Sequence, residues 1–329
     1  MARVTIIIPC LNEEKTITQL LEAILGQDFP TQDIEVVIAD GLSTDATRTR
    51  ITEFRQHHPV LAIRVLDNPS RKIPAALNLA IGAAKGEYLI RLDAHCVPQP
   101  DYISKSITSL EEGRGSNVGG VWDIRPAAEG WVAESIAIAA SHPLGVGDAF
   151  YRFTDRAREV DTVPFGAFRR DLIHRIGGFD ETLLSNEDYE FNARIRKSGG
   201  KVWLDPTIRS IYFTRPTLPQ LARQYARYGY WKLRMLRRYP NTLRLRQALP
   251  PLFVVSLLIL PLLGLVWQWA FWVLLAEVVS YFVILFSAAL RKALELKKMR
   301  LTLGIPLSIA TMHLSWGTAF LWSLATPGR

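Results

Sequence analysis

GEYLIRLDAH, at residues 86–95, is an apolar run that ends abruptly in a carboxylate, a small residue and an imidazole. Val97 and Pro98 follow, so the chain turns away at once. Open α/β sheets bind their ligands at the carboxyl ends of the strands. Asp93 and His95 stand two residues apart in an extended segment, so both side chains can approach one cation. The segment predicts a metal site for a phosphorylated substrate; a strand-end turn with a solvated Asp93 is the alternative.

Three other short apolar runs precede this strand and alternate with helical patterns, at residues 4–8, 34–39 and 63–66. Four strands alternating with three helices predict an α/β fold with a mostly parallel sheet and right-handed crossovers. The sequence has neither G-x-G-x-x-G after the first strand nor G-x-x-x-x-G-K-[ST] anywhere, which argues against a dinucleotide site and a P-loop.

Capping residues predict where the first two helices begin. Asn12 is the expected N-cap of the first helix, with Glu13 in its first turn and Gly26 at its end. Ser43 or Thr44 is expected to cap the second helix.

Asp40 is a second carboxylate at the end of a predicted strand, and Gly41 beside it allows a ligand to approach closely. Asp40 either accepts a hydrogen bond from a nucleobase or ribose, or it forms an Asx turn before the next helix. Arg71 and Lys72 precede a helix N-terminus, where they can meet a diphosphate together with free backbone N–H groups.

Asn186-Glu187-Asp188 opens a further predicted helix, which ends at Gly199 and Gly200. Carboxylates at a helix N-terminus often only complement its dipole. Next to a nucleotide and metal site, one of them can instead remove a proton from an attacking hydroxyl.

The positive charge of the chain is concentrated in one region. The 329 residues carry a formal net charge of +8, yet no Asp or Glu occurs between Asp205 and Glu277, where ten Lys and Arg residues stand. A basic band before apolar runs is typical of the anionic, cytoplasmic face of a membrane, and nucleic acid is the weaker interpretation. Cys10 and Cys96 have no metal-type spacing, which indicates a reduced, cytosolic compartment. The predicted strand close to the N-terminus leaves no room for a cleavable signal peptide.

Residues 219–239 combine two kinds of side chain, as an interfacial amphipathic helix does. Tyr225 and Tyr228 belong to its apolar and aromatic face, whereas Arg227 and Lys232 belong to its basic face. The aromatic stripe serves either for packing or as a ligand surface.

Three long apolar runs follow, at residues 249–267, 269–290 and 303–324, and they predict two to three spanning or re-entrant helices. The basic loop between the second and third runs is expected on the cytoplasmic side. Glu277 and His313 are costly at membrane depth, so we expect them to make interhelical contacts.

Five segments, in this order and spacing, resemble the family 2 glycosyltransferases of the GT-A fold, in particular the membrane-associated succinoglycan-type glucosyltransferases. They are IIIPCLNEE, ADGLSTDAT, RLDAH, GGFDE followed by NEDYEFNARIRKSG, and RQYARYGYW. We therefore predict a GT-A, Rossmann-like catalytic domain at residues 1–215, basic amphipathic interface helices at 216–248 and a membrane region at 249–329. Within the first domain, the weakly periodic stretch 119–158 is interpreted as a lobe that shapes the acceptor site.

The resemblance implies a nucleotide pocket at the strand ends. Pro9, Glu13 and Asp40 line it, with Asp40 on the base. The full set of predicted nucleotide-binding residues is Pro9, Asn12, Glu13, Asp40, Arg71 and Asp93.

The resemblance also makes Asp93 and His95 the metal and diphosphate element, and Asp188 the catalytic base. The usual family element is D-x-D, and His95 here stands in place of the second carboxylate. An imidazole ligand shifts the metal preference from Mg²⁺ toward Mn²⁺; alternatively, His95 contacts a phosphate and leaves Asp93 as the lone direct ligand. The expected cofactor is a divalent cation, Mn²⁺ or Mg²⁺.

Gln224, Arg227 and Tyr228 resemble the Q-x-x-R-W element of membrane-bound synthases of the same superfamily, which holds the donor diphosphate and acceptor. Tyr228 departs from the usual tryptophan but can still stack on a sugar, with less area. With Glu187, these three residues form the predicted acceptor or diphosphate group.

The function that the resemblance implies is inverting transfer of a sugar from a nucleotide sugar, UDP-glucose or similar, to a polyprenyl-diphosphate-linked saccharide. The predicted place is the cytoplasmic face of a bacterial inner membrane, with anionic lipids as partners and no nucleic acid, in exopolysaccharide or glycan synthesis. Transfer of one sugar to polyprenyl phosphate is the alternative within the same class. A non-catalytic, nucleotide-sugar-binding membrane scaffold is the alternative of another class.

Overall fold

The computed structural model describes residues 2–326, which form two compact units. The sheet unit comprises residues 2–123 and 153–212, and the helical unit comprises residues 124–152 and 213–326. The strands are β1 Val4–Cys10, β2 Ile34–Asp40, β3 Ala62–Asp67, β4 Tyr88–Arg91, β5 Val97–Pro98, β6 Asn117–Arg125, β7 Arg158–Glu159, β8 Ala167–Arg169 and β9 Val202–Phe213. The helices are α1 Ile17–Leu25, α2 Thr47–His57, α3 Ile73–Ala83, α4 Tyr102–Glu111, α5 Trp131–Ser141, α6 Pro143–Val146, α7 Asp171–Ile176, α8 Glu187–Lys197, α9 Leu218–Arg238, α10 Leu245–Gly264, α11 Trp269–Glu295 and α12 Leu301–Ala325.

The nine strands of the described residues form one mixed sheet. Its order is β3-β2-β1-β4-β8-β6-β9-β5, and β7 pairs with β9. The strands β3, β2, β1 and β4 are parallel, whereas β8 pairs antiparallel with both β4 and β6. The predicted α/β fold with four alternating parallel strands is confirmed, and the antiparallel part is an addition that the sequence patterns did not predict.

The register of the parallel strands brings several polar strand ends to one edge. Every residue of β1 and β2 is buried, as expected for parallel strands covered on both faces. Cys10 lies opposite Asp40, and Asp40 lies opposite Asp67. Asp93 follows the end of β4, which pairs with β1. This carboxyl edge is where an open α/β sheet binds its ligand.

The helix α1 begins later than its capping signal predicts. Its first residue is Ile17 and its N-cap is Thr16, so the prediction that Asn12 caps it, with Glu13 in the first turn, is wrong. The end of the helix at Gly26 is confirmed. Asn12 is instead in a left-handed turn, with φ of 56°, which breaks the helix before it can start there.

The helix α2 also begins later than predicted. It starts at Thr47 with Ala46 at its N-cap, so neither Ser43 nor Thr44 caps it. These two residues contact the loop after β1 instead: the Thr44 N–H donates to Asn12 Oδ1 at 2.9 Å, and the Asn12 N–H donates to Ser43 Oγ at 2.8 Å. The capping side chains are used to join two loops at the carboxyl edge of the sheet.

The stretch 119–158 is more regular than its weak periodicity predicts. Most of it belongs to the helical unit, where α5 and α6 contact α12. Small residues make this contact close, since a Cβ on Gly304 of α12 would lie 2.0 Å from Ser135 Oγ of α5. Alanine, glycine and serine carry little contrast in hydropathy, so a helix face built from them gives a weak periodic signal.

The predicted amphipathic helix is α9, but its buried face differs from the prediction. The buried residues are Leu221, Gln224, Tyr225, Gly229, Lys232 and Met235. The assignment of Lys232 to the basic, exposed face is wrong, because its side chain is fully buried. Its Nζ donates to the carbonyl oxygen of Thr242 at 3.2 Å, which supplies a polar partner inside the unit.

Within residues 2–326, two helices are long and apolar enough to cross a membrane, α10 and α11. The helix α10 continues through Pro261 without a break. The third apolar run forms α12, which has many buried residues and contacts α9, α5, α10 and α11. Glu277 and His313 make the expected interhelical contacts: Ser256 Oγ lies 2.7 Å from Glu277 Oε1, and Tyr281 OH lies 3.1 Å from His313 Nδ1.

Candidate active site

Arg91 is the centre of the candidate active site. It is the last residue of β4 and is 3% exposed. Its Nη2 lies 3.0 Å from Asp93 Oδ1 and 3.1 Å from Glu187 Oε1, and its Nη1 forms an ion pair with Asp188 Oδ1. One guanidinium group therefore joins the acid that follows β4 to the two acids that open α8.

The ionisation of this cluster suits proton transfer. Burial raises the pKa of Asp188 to about 7, against the positive charge of Arg91 and together with the negative charges of Glu187 and Asp93. Burial lowers the pKa of Arg91, but the three carboxylates outweigh it and hold that pKa well above its ordinary value, so Arg91 stays charged. The Asp188 side chain is 30% exposed and the Glu187 side chain 10%, so Asp188 is the acid that a substrate can reach. A reachable carboxylate with a pKa near neutrality is suited to act as a general base.

The start of α8 is fixed by contacts within the sheet unit. α8 begins at Glu187, as predicted, and Asn186 before it has a φ of 66°. Arg194 binds both oxygens of Glu190, from Nε at 2.5 Å and from Nη2 at 2.8 Å. The same Nη2 donates to the carbonyl oxygen of Gly178 at 2.6 Å. Arg194 thereby ties α8 to the GGFDE segment.

The glycines of GGFDE are required by this local geometry. Gly177 has a φ of 81°, which favours glycine. A Cβ on Gly178 would lie 2.4 Å from Asn78 Oδ1. Asn78 approaches this closely because it holds Phe179: the Phe179 N–H donates to Asn78 Oδ1 at 2.8 Å, and Asn78 Nδ2 donates to the Phe179 carbonyl oxygen at 2.9 Å.

Asp40 is fully buried at the end of β2. It accepts hydrogen bonds from the Ser43 N–H at 3.0 Å, from Ser43 Oγ and from Arg48 Nε. These contacts match the Asx-turn alternative for Asp40. Its contact with a nucleobase stays a prediction.

His95 and Glu13 are brought together, with His95 Nδ1 3.1 Å from Glu13 Oε1. The Glu13 N–H donates to Thr47 Oγ1 at 2.8 Å, which holds the loop after β1 against α2. Pro9 is the buried residue just before the end of β1. In the part of the chain that the structure describes, no three His, Cys, Asp or Glu side chains converge as a ready metal cage.

Arg71 is exposed and lies beside the end of β2. Its Nε donates to the carbonyl oxygen of Gly41 at 3.0 Å, and its φ is 58°. Among residues 2–326 it has no carboxylate partner, so its charge remains available to an anion.

The predicted acceptor or diphosphate group on α9 belongs to the helical unit. Gln224 Nε2 lies 2.9 Å from Tyr228 OH, so two of its members contact each other. Arg227 is exposed. The role of these residues toward a donor diphosphate stays a prediction.

Sequence reasoning missed Arg91 and Arg194. The sequence contained one signal for Arg91: it is a charged residue inside an apolar strand, and such a residue needs a partner when it is buried. Asp93 is such a partner and is visible two positions away, whereas Glu187 and Asp188 are remote in sequence. Arg194 left no signal, because a basic residue in the last turns of a helix normally complements the helix dipole.

A family comparison supplies the deciding observation: residues 5–177 match the model described as Glycosyl transferase family 2. The chain belongs to this family. The segment matched to the family 2 model runs from β1 through α7 and includes Asp40, Asp93 and His95. Glu187 and Asp188 lie beyond that segment.

Named relatives of this family 2 glycosyltransferase extend the match over most of its length. It is 33% identical over 241 residues to the dolichyl N-acetyl-alpha-D-glucosaminyl phosphate 3-beta-D-2,3-diacetamido-2,3-dideoxy-beta-D-glucuronosyltransferase of Methanococcus voltae, covering 71% of this chain and 74% of the relative. It is 32% identical over 248 residues to the succinoglycan biosynthesis protein ExoA of Rhizobium meliloti, covering 74% and 73%. The predicted resemblance to the succinoglycan-type branch is confirmed.

Solved structures show the same fold. A mannosyltransferase from Pyrobaculum calidifontis in complex with GDP-Man and Mn²⁺ is similar with a TM-score of 0.63 and 23% identity, covering 98% of this chain and 87% of that one. The TarS fragment 1–349 of S. aureus in complex with UDP has a TM-score of 0.52 and 20% identity, covering 72% of this chain and 65% of that one. The predicted GT-A fold of this family 2 glycosyltransferase is confirmed.

Proposed function

We propose that this family 2 glycosyltransferase transfers a sugar, with inversion, from a UDP-sugar such as UDP-glucose to a lipid-linked saccharide. The Methanococcus voltae relative is named for a dolichyl phosphate-linked sugar, and the Rhizobium meliloti relative is named for succinoglycan biosynthesis. The two apolar helices α10 and α11 support association with a membrane. We place the reaction at the cytoplasmic face of a bacterial inner membrane, in exopolysaccharide or glycan synthesis.

The observation that carries the proposal is the contact of Arg91 with Asp93, Glu187 and Asp188. It joins a strand-end acid, suited to a phosphorylated donor, to a helix-start acid suited to deprotonate an acceptor. Asp188 removes a proton from the acceptor hydroxyl, and that oxygen attacks the anomeric carbon opposite the leaving diphosphate. Glu187 is less exposed than Asp188, and we assign no carboxylate as a covalent nucleophile. A single displacement inverts the anomeric configuration.

A divalent cation, Mn²⁺ or Mg²⁺, would be held by Asp93 and His95. The donor set fits such an ion, since a carboxylate with an imidazole suits Mn²⁺ and leaves positions for diphosphate oxygens. When bound, the ion neutralises charge that develops on the leaving diphosphate. Arg91 contacts Asp93 through Oδ1, and Glu13 contacts His95 through Nδ1, so the ion would be bound by Asp93 Oδ2 and His95 Nε2.

We assign the remaining predicted site residues by role. Pro9, Asn12, Glu13, Asp40 and Arg71 face the nucleotide, with Arg71 toward the phosphates. Glu187, Gln224, Arg227 and Tyr228 serve the acceptor or the diphosphate.

Two variants of the full chain test these roles separately. Asp93→Ala is expected to lose cation-dependent binding of the UDP-sugar, measured by calorimetry. Asp188→Asn is expected to keep donor binding and to lose transfer by about 10²-fold or more, because general-base catalysis supplies a factor of that size. Full turnover by Asp188→Asn would show that Asp188 is not the general base.

The acceptor class is tested with a radiolabelled donor. Polyprenyl phosphate and a glycosylated polyprenyl diphosphate are offered in parallel to the full chain in detergent. Label in the glycosylated lipid alone supports the proposal, and label in polyprenyl phosphate alone replaces it with single-sugar transfer to the carrier. Donor binding without transfer to either lipid would indicate a non-catalytic scaffold.

A further inference from the structure

The helical unit contains an open groove of about 700 Å³ along one face of α5. The lining combines apolar side chains, among them Ala128, Ala137 and Ile138, with polar ones, Glu129, Glu134 and Ser141. Leu296 and Lys298, from the loop between α11 and α12, border it. None of these residues belongs to the active-site cluster around Arg91.

The border formed by this loop is positively charged. Residues 291–300 contain five Lys and Arg residues and one Glu. Lys298 Nζ lies 2.6 Å from Glu134 Oε1, with side chains 55% and 29% exposed. An ion pair this exposed contributes little stability, so an incoming anion can take the place of Glu134 at small cost. The groove therefore offers apolar side chains beside a cation, Lys298, that can exchange Glu134 for another anion.

The groove also lies at the polar end of a candidate membrane span. α11 is 27 residues long, and Lys298 follows its last residue by three positions. Trp131, at the start of α5, is an exposed tryptophan next to groove-lining Gly130. Tryptophan and basic residues at the end of an apolar span are typical of the boundary between membrane and water.

We propose that this groove binds the phosphate and the first isoprene units of an isoprenoid-linked acceptor. The isoprenoid lies on Ala128, Ala137 and Ile138, and the phosphate contacts Lys298. A single groove with one basic border matches a ligand with one chain and a phosphate end better than a two-chain phospholipid. This inference rests on the proposed function, since it names the lipid part of the same acceptor.

Photolabelling of the full chain in nanodiscs tests the site, with a diazirine-tagged isoprenoid monophosphate as the probe. Label is expected in residues 124–141 and 296–298. Lys298→Ala, which removes the cation, and Ala128→Trp, which fills part of the groove, are each expected to reduce labelling about tenfold, as losing one good contact does. Lys297→Ala removes the same charge one residue outside the lining, and Ala62→Trp adds the same bulk on β3; both are expected to label like the unmodified chain.

Three results would overturn the groove site. The first is label confined to other segments, and the second is a loss of label in Lys297→Ala as large as in Lys298→Ala. The third is competition by excess phosphatidylglycerol that is as strong as competition by the untagged isoprenoid monophosphate. The last two would indicate general attraction to anionic lipid. Acceptor kinetics separate this inference from the proposed function. If the unmodified chain glycosylates the lipid-linked saccharide and Lys298→Ala does so with an unchanged KM for it, only the groove site fails. If the unmodified chain uses no lipid-linked acceptor, the proposed function fails whatever the label map shows.

Discussion

Arg91 connects two chemical tasks through one side chain. Its charge lowers the pKa of Asp188, against the burial that raises it, and it also neutralises part of Asp93. If a bound cation replaces Arg91 as the partner of Asp93, Arg91 still contacts Glu187 and Asp188. The residue thus holds the base in place both before and after the donor arrives.

Replacing Arg91 is therefore expected to change the pH profile of transfer. Asp188 acts as a base only when deprotonated, so kcat/KM of the unmodified chain should fall as the pH drops through a value of about 7. Arg91→Met removes the positive charge that lowers the pKa of Asp188, so the acid limb should move to higher pH. The measurement is kcat/KM from pH 5 to 9 under fixed ionic strength.

Arg91→Lys provides the matched control, because it keeps a positive charge and loses the fork that binds several carboxylates. Its acid limb should stay nearer to that of the unmodified chain than the limb of Arg91→Met does. An unshifted profile in Arg91→Met would show that Asp188 titrates independently of Arg91.

At the scale of one element, α8 depends on the buried pair of Glu190 and Arg194. Glu190 is fully buried and the Arg194 side chain is 18% exposed. Arg194→Met leaves Glu190 buried without its partner, which costs about 3–5 kcal/mol. The melting temperature of the sheet unit should therefore fall, as followed by thermal unfolding of the full chain in detergent.

Lys197→Met is the control for this prediction, since it removes an exposed basic residue from the same end of α8. Its effect should stay within about 0.5 kcal/mol. The double change Glu190→Met with Arg194→Met should recover part of the loss, because it removes both charges together. A melting temperature that is equal in Arg194→Met and Lys197→Met would contradict the role of the pair.

The elements that the sequence predicted are those with strong local patterns. β1 and β2 were predicted from their β-branched runs, and α8 was predicted from the acids that open it and from Gly199 and Gly200 at its end. The starts of α1 and α2 were wrong because Asn12 and Ser43 bond to each other across loops, and no local rule reveals a partner 31 residues away. α5 was missed because its close contact with α12 needs small side chains.

The residues of the candidate active site show the same difference between local sequence patterns and remote contacts. Asp93 and Asp188 were found because each stands where an element begins or ends. Arg91, which connects them, is 97 residues from Asp188, and this contact follows only from the sheet order and from the anchoring of α8. Sequence patterns identify chemical groups at element ends, whereas the contacts between those groups are set by tertiary packing.

At the scale of the whole molecule, the membrane arrangement follows from helix length and charge. The 27 residues of α11 rise about 40 Å at 1.5 Å each, more than the roughly 30 Å of hydrocarbon in a bilayer. The loop after α11 is basic and the link before it has no charge, so the loop should be cytoplasmic and the link outside.

Cysteine labelling can test this arrangement in the full chain, because Cys10 and Cys96 are both buried and give little background. Met299→Cys, in the exposed loop after α11, should react with a membrane-impermeant maleimide only in inside-out vesicles. Gln268→Cys, in the exposed link before α11, should react only in right-side-out vesicles. Reaction of both in the same vesicles would mean that α10 and α11 re-enter one leaflet. The three prolines of α10 would then be the first place to seek the bend.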